Sequence, residues 1–210
     1  MIQILIADDH PLLRNGLKQV LSLEPDLRVA GEAEDSEQVL QHLAEPGWDV
    51  VVLDITMPGR GGLEILRDIR RIRPDVPVLV LSMHPEDQFA VRAIKAGASG
   101  YLTKTNACEE VVRAIRKILT GKKYVSASLA EMLANALDSD SERAPHESLS
   151  DREFQVMCKI ASGKTVSQIA AEITLSVKTV STYRARVLEK MHMRNNAELT
   201  RYAIQKNLVN

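Results

Sequence analysis

The stretch Asp49–Gly62, DVVVLDITMPGRGG, carries a short apolar run straight into a carboxylate and then breaks on Pro58 and the glycines Gly59, Gly61 and Gly62. Val50, Val51, Val52 and Leu53 show no polar alternation, the pattern of a strand covered on both faces at the centre of a parallel sheet. Asp54 falls where that strand ends, and open parallel sheets bind ligands in the crevice beyond the carboxyl ends of their strands. A carboxylate there needs a cation or a chemical task.

Outward from this strand, short apolar runs alternate with amphipathic segments. The strands are IQILIA from residue 2, LRVAGEA from 27, DVVVLD from 49, VPVLVLS from 76 and SGYLT from 99. Between and after them, PLLRNGLKQVLSLE, DSEQVLQHLAE, GLEILRDIRRIR, PEDQFAVRAIKAG and NACEEVVRAIRKILTG space apolar residues three and four apart. Pro11 and Pro85 suit first helical turns, and Gly97 and Gly121 suit helix ends. The expectation is an α/β domain, a (βα)5 doubly wound parallel sheet, over residues 1–121. Residues 122–147 form a linker with a helix at 125–137, striped by Leu129, Met132, Leu133 and Leu137, and then the aperiodic, flexible DSDSERAPHES. From LSDREFQVM onward, over 148–210, every segment has helical period, and Ser150 with Glu153 spells a capping box, although Leu149, Ser150 and Asp151 allow other pairings.

The formal net charge of −1 hides a division: residues 1–120 hold 18 acidic and 14 basic side chains, residues 148–210 hold 5 and 10. A basic module on an acidic body points to nucleic acid at one end only. No run approaches a membrane span and MIQILIADDH forms no signal peptide, so a cytoplasmic protein is expected. Cys108 and Cys158 have no metal-type spacing and read as reduced core residues. Neither G-x-x-x-x-G-K-[ST] nor a strand-following G-x-G-x-x-G occurs, which disfavours nucleotide binding.

In this sheet Asp8 and Asp9 end strand one, Asp54 strand three and Ser82 strand four, and Lys104 follows strand five, so all meet at one edge. Three carboxylates together repel unless they share a cation, and Mg2+ suits an all-oxygen site that keeps waters. Asp54, alone at its strand end, is then the nucleophile toward a phosphoryl donor. Lys104 and the Ser82 hydroxyl contact phosphoryl oxygens, and the Thr56 carbonyl is a further metal ligand. Singly, Asp9 reads as a helix cap, Asp54 as a turn residue and Lys104 as a solvated charge; together these readings are improbable.

DD near the N-terminus, D-x-x-M-P-G at Asp54, Ser82 after VLVL and GYLTK ending on Lys104 resemble the receiver domain of two-component response regulators over residues 1–121. The resemblance implies Mg2+ held by Asp9, Asp54 and the Thr56 carbonyl with Asp8 acting through water, phosphorylation of Asp54 by a partner histidine kinase, and a switch in which Ser82 moves to the phosphoryl group and Tyr101 repacks. Met83 replaces a residue that is small in many receivers, which narrows access and alters the lifetime of the phosphoryl group. Thr105 stands where many have proline, and a cis bond before threonine would cost about 3 kcal/mol.

In the basic module, VSQIAAEI and VKTVSTYRARVLEKM flank the short TLS turn, helix-turn-helix spacing with Ser176 capping the second helix. On a wheel Val177, Val180, Val187, Leu188 and Met191 face inward with Arg184 intruding, while Lys178, Ser181, Thr182, Ala185 and Arg186 face out. An ordinary solvated face is the bland alternative. The DNA-contact candidates are Lys178, Thr179, Ser181, Thr182, Arg184, Ala185, Arg186 and Lys190, with Lys178, Ser181 and Thr182 nearest base edges. With 3% aromatics, stacking on single strands is disfavoured and duplex DNA is the partner. LSDREFQVM, QIAAEI, SVKTV and EKM resemble the LuxR-type helix-turn-helix, and with the receiver the NarL/FixJ class, T-Y-R-A-R being similar to its GacA/UvrY branch. Tyr183, Ser181 and Val166 depart from residues common there, so base preference does not transfer. The resemblance implies a transcription regulator and not an enzyme, a homodimer when phosphorylated with residues 197–206 as the DNA-bound dimer contact, and an unphosphorylated receiver covering the recognition helix. A haloacid-dehalogenase-type phosphatase would want an acid where Thr56 stands. A phosphorylation-independent DNA-binding protein with a structural acidic pocket is the other alternative.

Overall fold

The computed structural model describes residues 1–57, 62–83, 86–138, 144–206 and 208–209, with backbone alone for 86–88, 135–138, 147 and 151. Pro58, Gly59, Gly61, Pro85, the side chain of Leu137 and residues 139–143 of the expected flexible connection lie outside what is described. The chain divides into two compact units, Met1–Asp138 and Ser139–Asn210.

In the first unit β1 (Ile2–Ala7), β2 (Leu27–Ala33), β3 (Val50–Asp54), β4 (Val78–Ser82) and β5 (Gly100–Thr103) form one parallel sheet in the order β2-β1-β3-β4-β5. The helices α1 (Pro11–Ser22), α2 (Ser36–Ala44), α3 (Gly62–Ile72) and α4 (Glu86–Lys95) are the crossovers that parallel strands require, and α5 (Ala107–Leu119) follows the last strand. β3 and β4 are buried at every residue, as their unbroken apolar runs predict. β3 begins at Val50, one residue after the start of the expected segment DVVVLD; Asp49 still donates its amide to Gln3 O at 3.0 Å, while its Oδ2 accepts from the Gln3 amide at 2.7 Å. Ile4, Ile6, Val50, Val52, Leu79 and Leu81 build one core with Leu17 and Leu21 of α1 and Val111, Ile115 and Ile118 of α5.

Gly62 answers to a contact, not only to loop openness: a Cβ there would lie 2.2 Å from the backbone of Ile55, so no side chain fits. At the far edge, the chain after α5 returns along β5. Tyr101 N donates to Tyr124 O at 3.1 Å and Tyr124 N to Ser99 O at 2.9 Å, covering the exposed edge of the sheet. From there α6 (Ala127–Asp138) lies against α4 with Leu129 fully buried, so this helix is packed within the first unit.

The second unit holds α7 (Asp151–Ala161), α8 (Val166–Glu172), α9 (Val177–Lys190) and α10 (Asn196–Gln205), preceded by a 3-10 turn at Pro145–Ser148. Capping boxes start α7 at Ser150/Glu153 and α8 at Thr165/Gln168, and Ser176 caps α9 through the Thr179 amide at 3.0 Å. Val180, Val187 and Met191 are buried, but Val177 corrects the wheel: it is 51% exposed. A wheel projects an endless cylinder, whereas the first turn of a helix can outrun the neighbours that cover its middle. In the turn between α8 and α9, Thr174 adopts φ 54°, a conformation costly for a β-branched residue.

Candidate functional site

Four strand tips bring the expected acidic cluster together. Asp8, Asp54 and Ser82 are fully buried, and the Lys104 side chain, carried just past β5, is nearly so. The Lys104 ammonium bridges two carboxylates, 2.8 Å from Asp8 Oδ2 and 2.7 Å from Asp54 Oδ2. The other Asp54 oxygen, Oδ1, accepts from the Thr56 amide at 2.7 Å and the Thr56 hydroxyl at 2.6 Å. Ser82 reaches the site from the neighbouring strand, where its carbonyl accepts from the Lys104 amide at 2.8 Å. Lys104 is thus held at both ends. The Lys104–Thr105 bond is trans, like every peptide bond among the described residues.

His10, which is not among the residues singled out from the sequence, belongs to this cluster. Its Nδ1 stands 2.7 Å from Asp9 Oδ1, 3.2 Å from Asp8 Oδ1 and 3.3 Å from Lys104 Nζ. Its position directly after two acids at a strand end was the signal available. One ligand atom from each of Asp8, Asp9, His10 and Asp54 lies within 4.8 Å of the others. Asp8 Oδ2 and Asp9 Oδ1 are buried without a hydrogen bond of good geometry, although Lys104 Nζ stands 2.8 Å from the first and His10 Nδ1 2.7 Å from the second, and a buried carboxylate oxygen that is not fully satisfied is costly. Carboxylate oxygens with spare acceptor capacity fit a hard divalent cation such as Mg2+. Tyr101, expected as a switch, is buried on β5 two residues before Thr103, the register partner of Ser82. Met83 stands 64% exposed beside the pocket.

On α9, Lys178, Ser181, Thr182, Ala185 and Arg186 form one exposed face at helical spacing. Thr179 is half-buried, its hydroxyl 2.7 Å from Ser176 Oγ. Two expected DNA contacts are engaged inside the domain. Arg184 Nε donates to Asn196 Oδ1 at 2.7 Å, and Lys190 Nζ lies 2.6 Å from Oε2 of the buried Glu153. Burial pushes the Glu153 carboxyl up, but Lys190 and the Ser150 amide and hydroxyl outweigh it and hold the group below its ordinary value. Sequence could not reveal these pairs, because residue 190 meets residue 153 only once α7 and α9 pack.

A doubly wound sheet with an acidic pocket closed by a lysine, followed by a helix-turn-helix unit, defines a class. Residues 4–116 match the response regulator receiver domain and residues 147–203 the bacterial regulatory proteins of the luxR family. The chain belongs to the two-component response regulators that join these two domains, a family of transcription regulators. It is similar along its whole length to the response regulator UvrY of Escherichia coli, 38% identical over 211 residues with 97% of that protein covered. It is 40% identical over 210 residues to the response regulator GacA of Pseudomonas aeruginosa, again over all of this chain and 98% of that one. Among solved structures, Salmonella typhimurium RcsB is 26% identical with a TM-score of 0.63, covering 97% of this chain and all of that one. RcsB bound to the promoter rprA with the phosphomimetic BeF3− is 25% identical with a TM-score of 0.64, covering 96% and 97%.

Proposed function

We propose that Asp54 accepts a phosphoryl group from a histidine kinase in the cytoplasm and that its phosphorylation controls binding of α9 to the major groove of duplex DNA. The observation that carries this reading is the Lys104 ammonium shared between two fully buried carboxylates, Asp8 and Asp54, 2.8 and 2.7 Å away. A buried charge trio of that kind is a poor structural element and a good phosphoryl-transfer site. Asp8, Asp9, Asp54 and the Thr56 carbonyl would hold Mg2+, with Asp8 acting through water. Bound there, the ion supplies electrostatic stabilisation of the transferring phosphoryl oxygens.

In the transfer, an Asp54 carboxylate oxygen attacks phosphorus; a P–O bond forms as the donor's P–N bond breaks, and the electron pair stays with the imidazole nitrogen. Lys104 then pairs with one phosphoryl oxygen and the Ser82 hydroxyl bonds another. Tyr101, on the strand beside Ser82, repacks. The response is a population shift in domain arrangement that favours a homodimer on two half-sites, with residues 197–206 as the contact. Solved complexes of RcsB, described as dimers bound to DNA, support this reading by likeness.

The test is operator selection from genomic DNA, then equilibrium binding and gel filtration with and without beryllofluoride. Tighter binding and earlier elution with the mimic are expected, and both are lost in Asp54→Ala. Full operator binding by Asp54→Ala, unmoved by the mimic, would instead establish a phosphorylation-independent regulator.

A further inference from the structure

We infer that Arg14 is a positioning residue for divalent-cation binding, setting the Asp8–Asp9 pair through the backbone carbonyl of Asp8; this rests on the reading of the acidic pocket above. Arg14 lies on α1, one turn beyond the pocket, and is only 7% exposed although it is an arginine. Burial of a guanidinium is rare without several partners. Here Nη1 donates to the Asp8 carbonyl at 2.6 Å, Nε to Glu32 Oε2 at 3.2 Å and Nη2 to Glu34 Oε1 at 2.5 Å. Lys18 adds a second cation, 2.8 Å from Glu32 Oε1.

The arrangement divides the labour of the arginine. Glu32 and Glu34, at and just past the end of β2, orient the guanidinium fork and balance its charge, so the remaining edge acts on the pocket by geometry and not by competing with a cation. What that edge grips is the Asp8–Asp9 peptide. Asp8 N is already fixed to Ala33 O at 3.0 Å, and Asp8 Oδ1 accepts from the His10 amide at 2.7 Å. With the Asp8 carbonyl also held, the Asp8–Asp9 peptide is gripped by its oxygen between the anchored Asp8 amide before it and the anchored His10 amide after it, which restrains the backbone that carries the Asp9 carboxylate. Asp8 Oδ2, which faces the Lys104 ammonium, and Asp9 Oδ1 keep acceptor capacity beyond their present neighbours, and the held backbone aims both at one point where a divalent cation would bind.

The test uses the full-length chain and isothermal titration with Mg2+ alone. Arg14→Gln should weaken Mg2+ binding about 10- to 100-fold, the range found when outer partners of metal ligands are removed. The rate of acetyl phosphate labelling should recover at saturating Mg2+, whereas a merely structural role would lower thermal stability and leave the affinity of the folded protein alone. Should Arg14→Gln not fold, Arg14→Lys carries the test, because an ammonium cannot serve three partners in a fork. Unchanged Mg2+ affinity in the folded variant overturns the inference. Wild-type protein that binds no Mg2+ overturns the reading of the pocket itself, a distinct result.

Discussion

At the level of single residues, charge does most of the work. The Lys104 ammonium neutralises Asp8 and Asp54 together, so Lys104→Met should destabilise the first domain in the absence of Mg2+ by about 3–5 kcal/mol, and added Mg2+ should restore part of the loss. Urea unfolding with and without Mg2+ measures this; equal midpoints for wild type and variant would refute it. Glu153 makes a pH statement about the second domain. Its folded carboxyl titrates below the ordinary value of 4.5, so its contribution is complete above about pH 4.5 and fades as pH falls through the lower folded value. Thermal unfolding of Glu153→Gln or Lys190→Met should therefore show a shallower acid dependence there than wild type. An identical slope would mean that the pair contributes nothing.

Among the elements, the turn between α8 and α9 stores strain that sequence did not announce. Thr174 sits at φ 54°, so Thr174→Gly should stabilise the second domain by about 0.5–1 kcal/mol, the relief of a left-handed β-branched residue less glycine's entropy cost. A lowered unfolding midpoint would contradict that. Along α9, Arg186 is free to meet phosphate whereas Arg184 is tied to Asn196. Arg186→Ala should reduce the slope of log affinity against log salt by about one, and Arg184→Ala should act mainly on stability. Equal slopes for the two would dissolve the distinction. The Tyr124 hydroxyl links α5 to the returning chain, accepting from Arg113 Nη2 at 2.8 Å and donating to Glu110 Oε2. Burial first, and Glu110 next, push that phenol up against the opposing pull of Arg113.

These same elements show what was legible beforehand. Strand tips were readable because the apolar runs of β1, β3, β4 and β5 each give way to a polar residue; Asp8, Asp9, Asp54, Ser82 and Lys104 therefore gather at one edge of the sheet. The helix-turn-helix was readable from its spacing and its Ser176 cap. Pairings between distant segments were not: Arg14 with Glu34, Lys190 with Glu153 and Tyr124 along β5 depend on which helix faces lie together. Val177 failed for the opposite reason, being apolar at a helix end that is left half exposed.

The whole molecule carries an acidic receiver unit and a basic helix-turn-helix unit in one chain, and under the proposed function the first controls the second. Among the described residues no helix is long and apolar enough to cross a membrane. The decisive measurement is the intact mass of the protein after incubation with Mg2+ and acetyl phosphate, made on wild type and Asp54→Asn side by side with their DNA affinities. Wild type should gain one phosphoryl group and bind operator DNA more tightly, and Asp54→Asn should do neither. A wild-type mass that does not change, or a gain that persists in Asp54→Asn, would contradict the assignment of Asp54 as the phosphoacceptor.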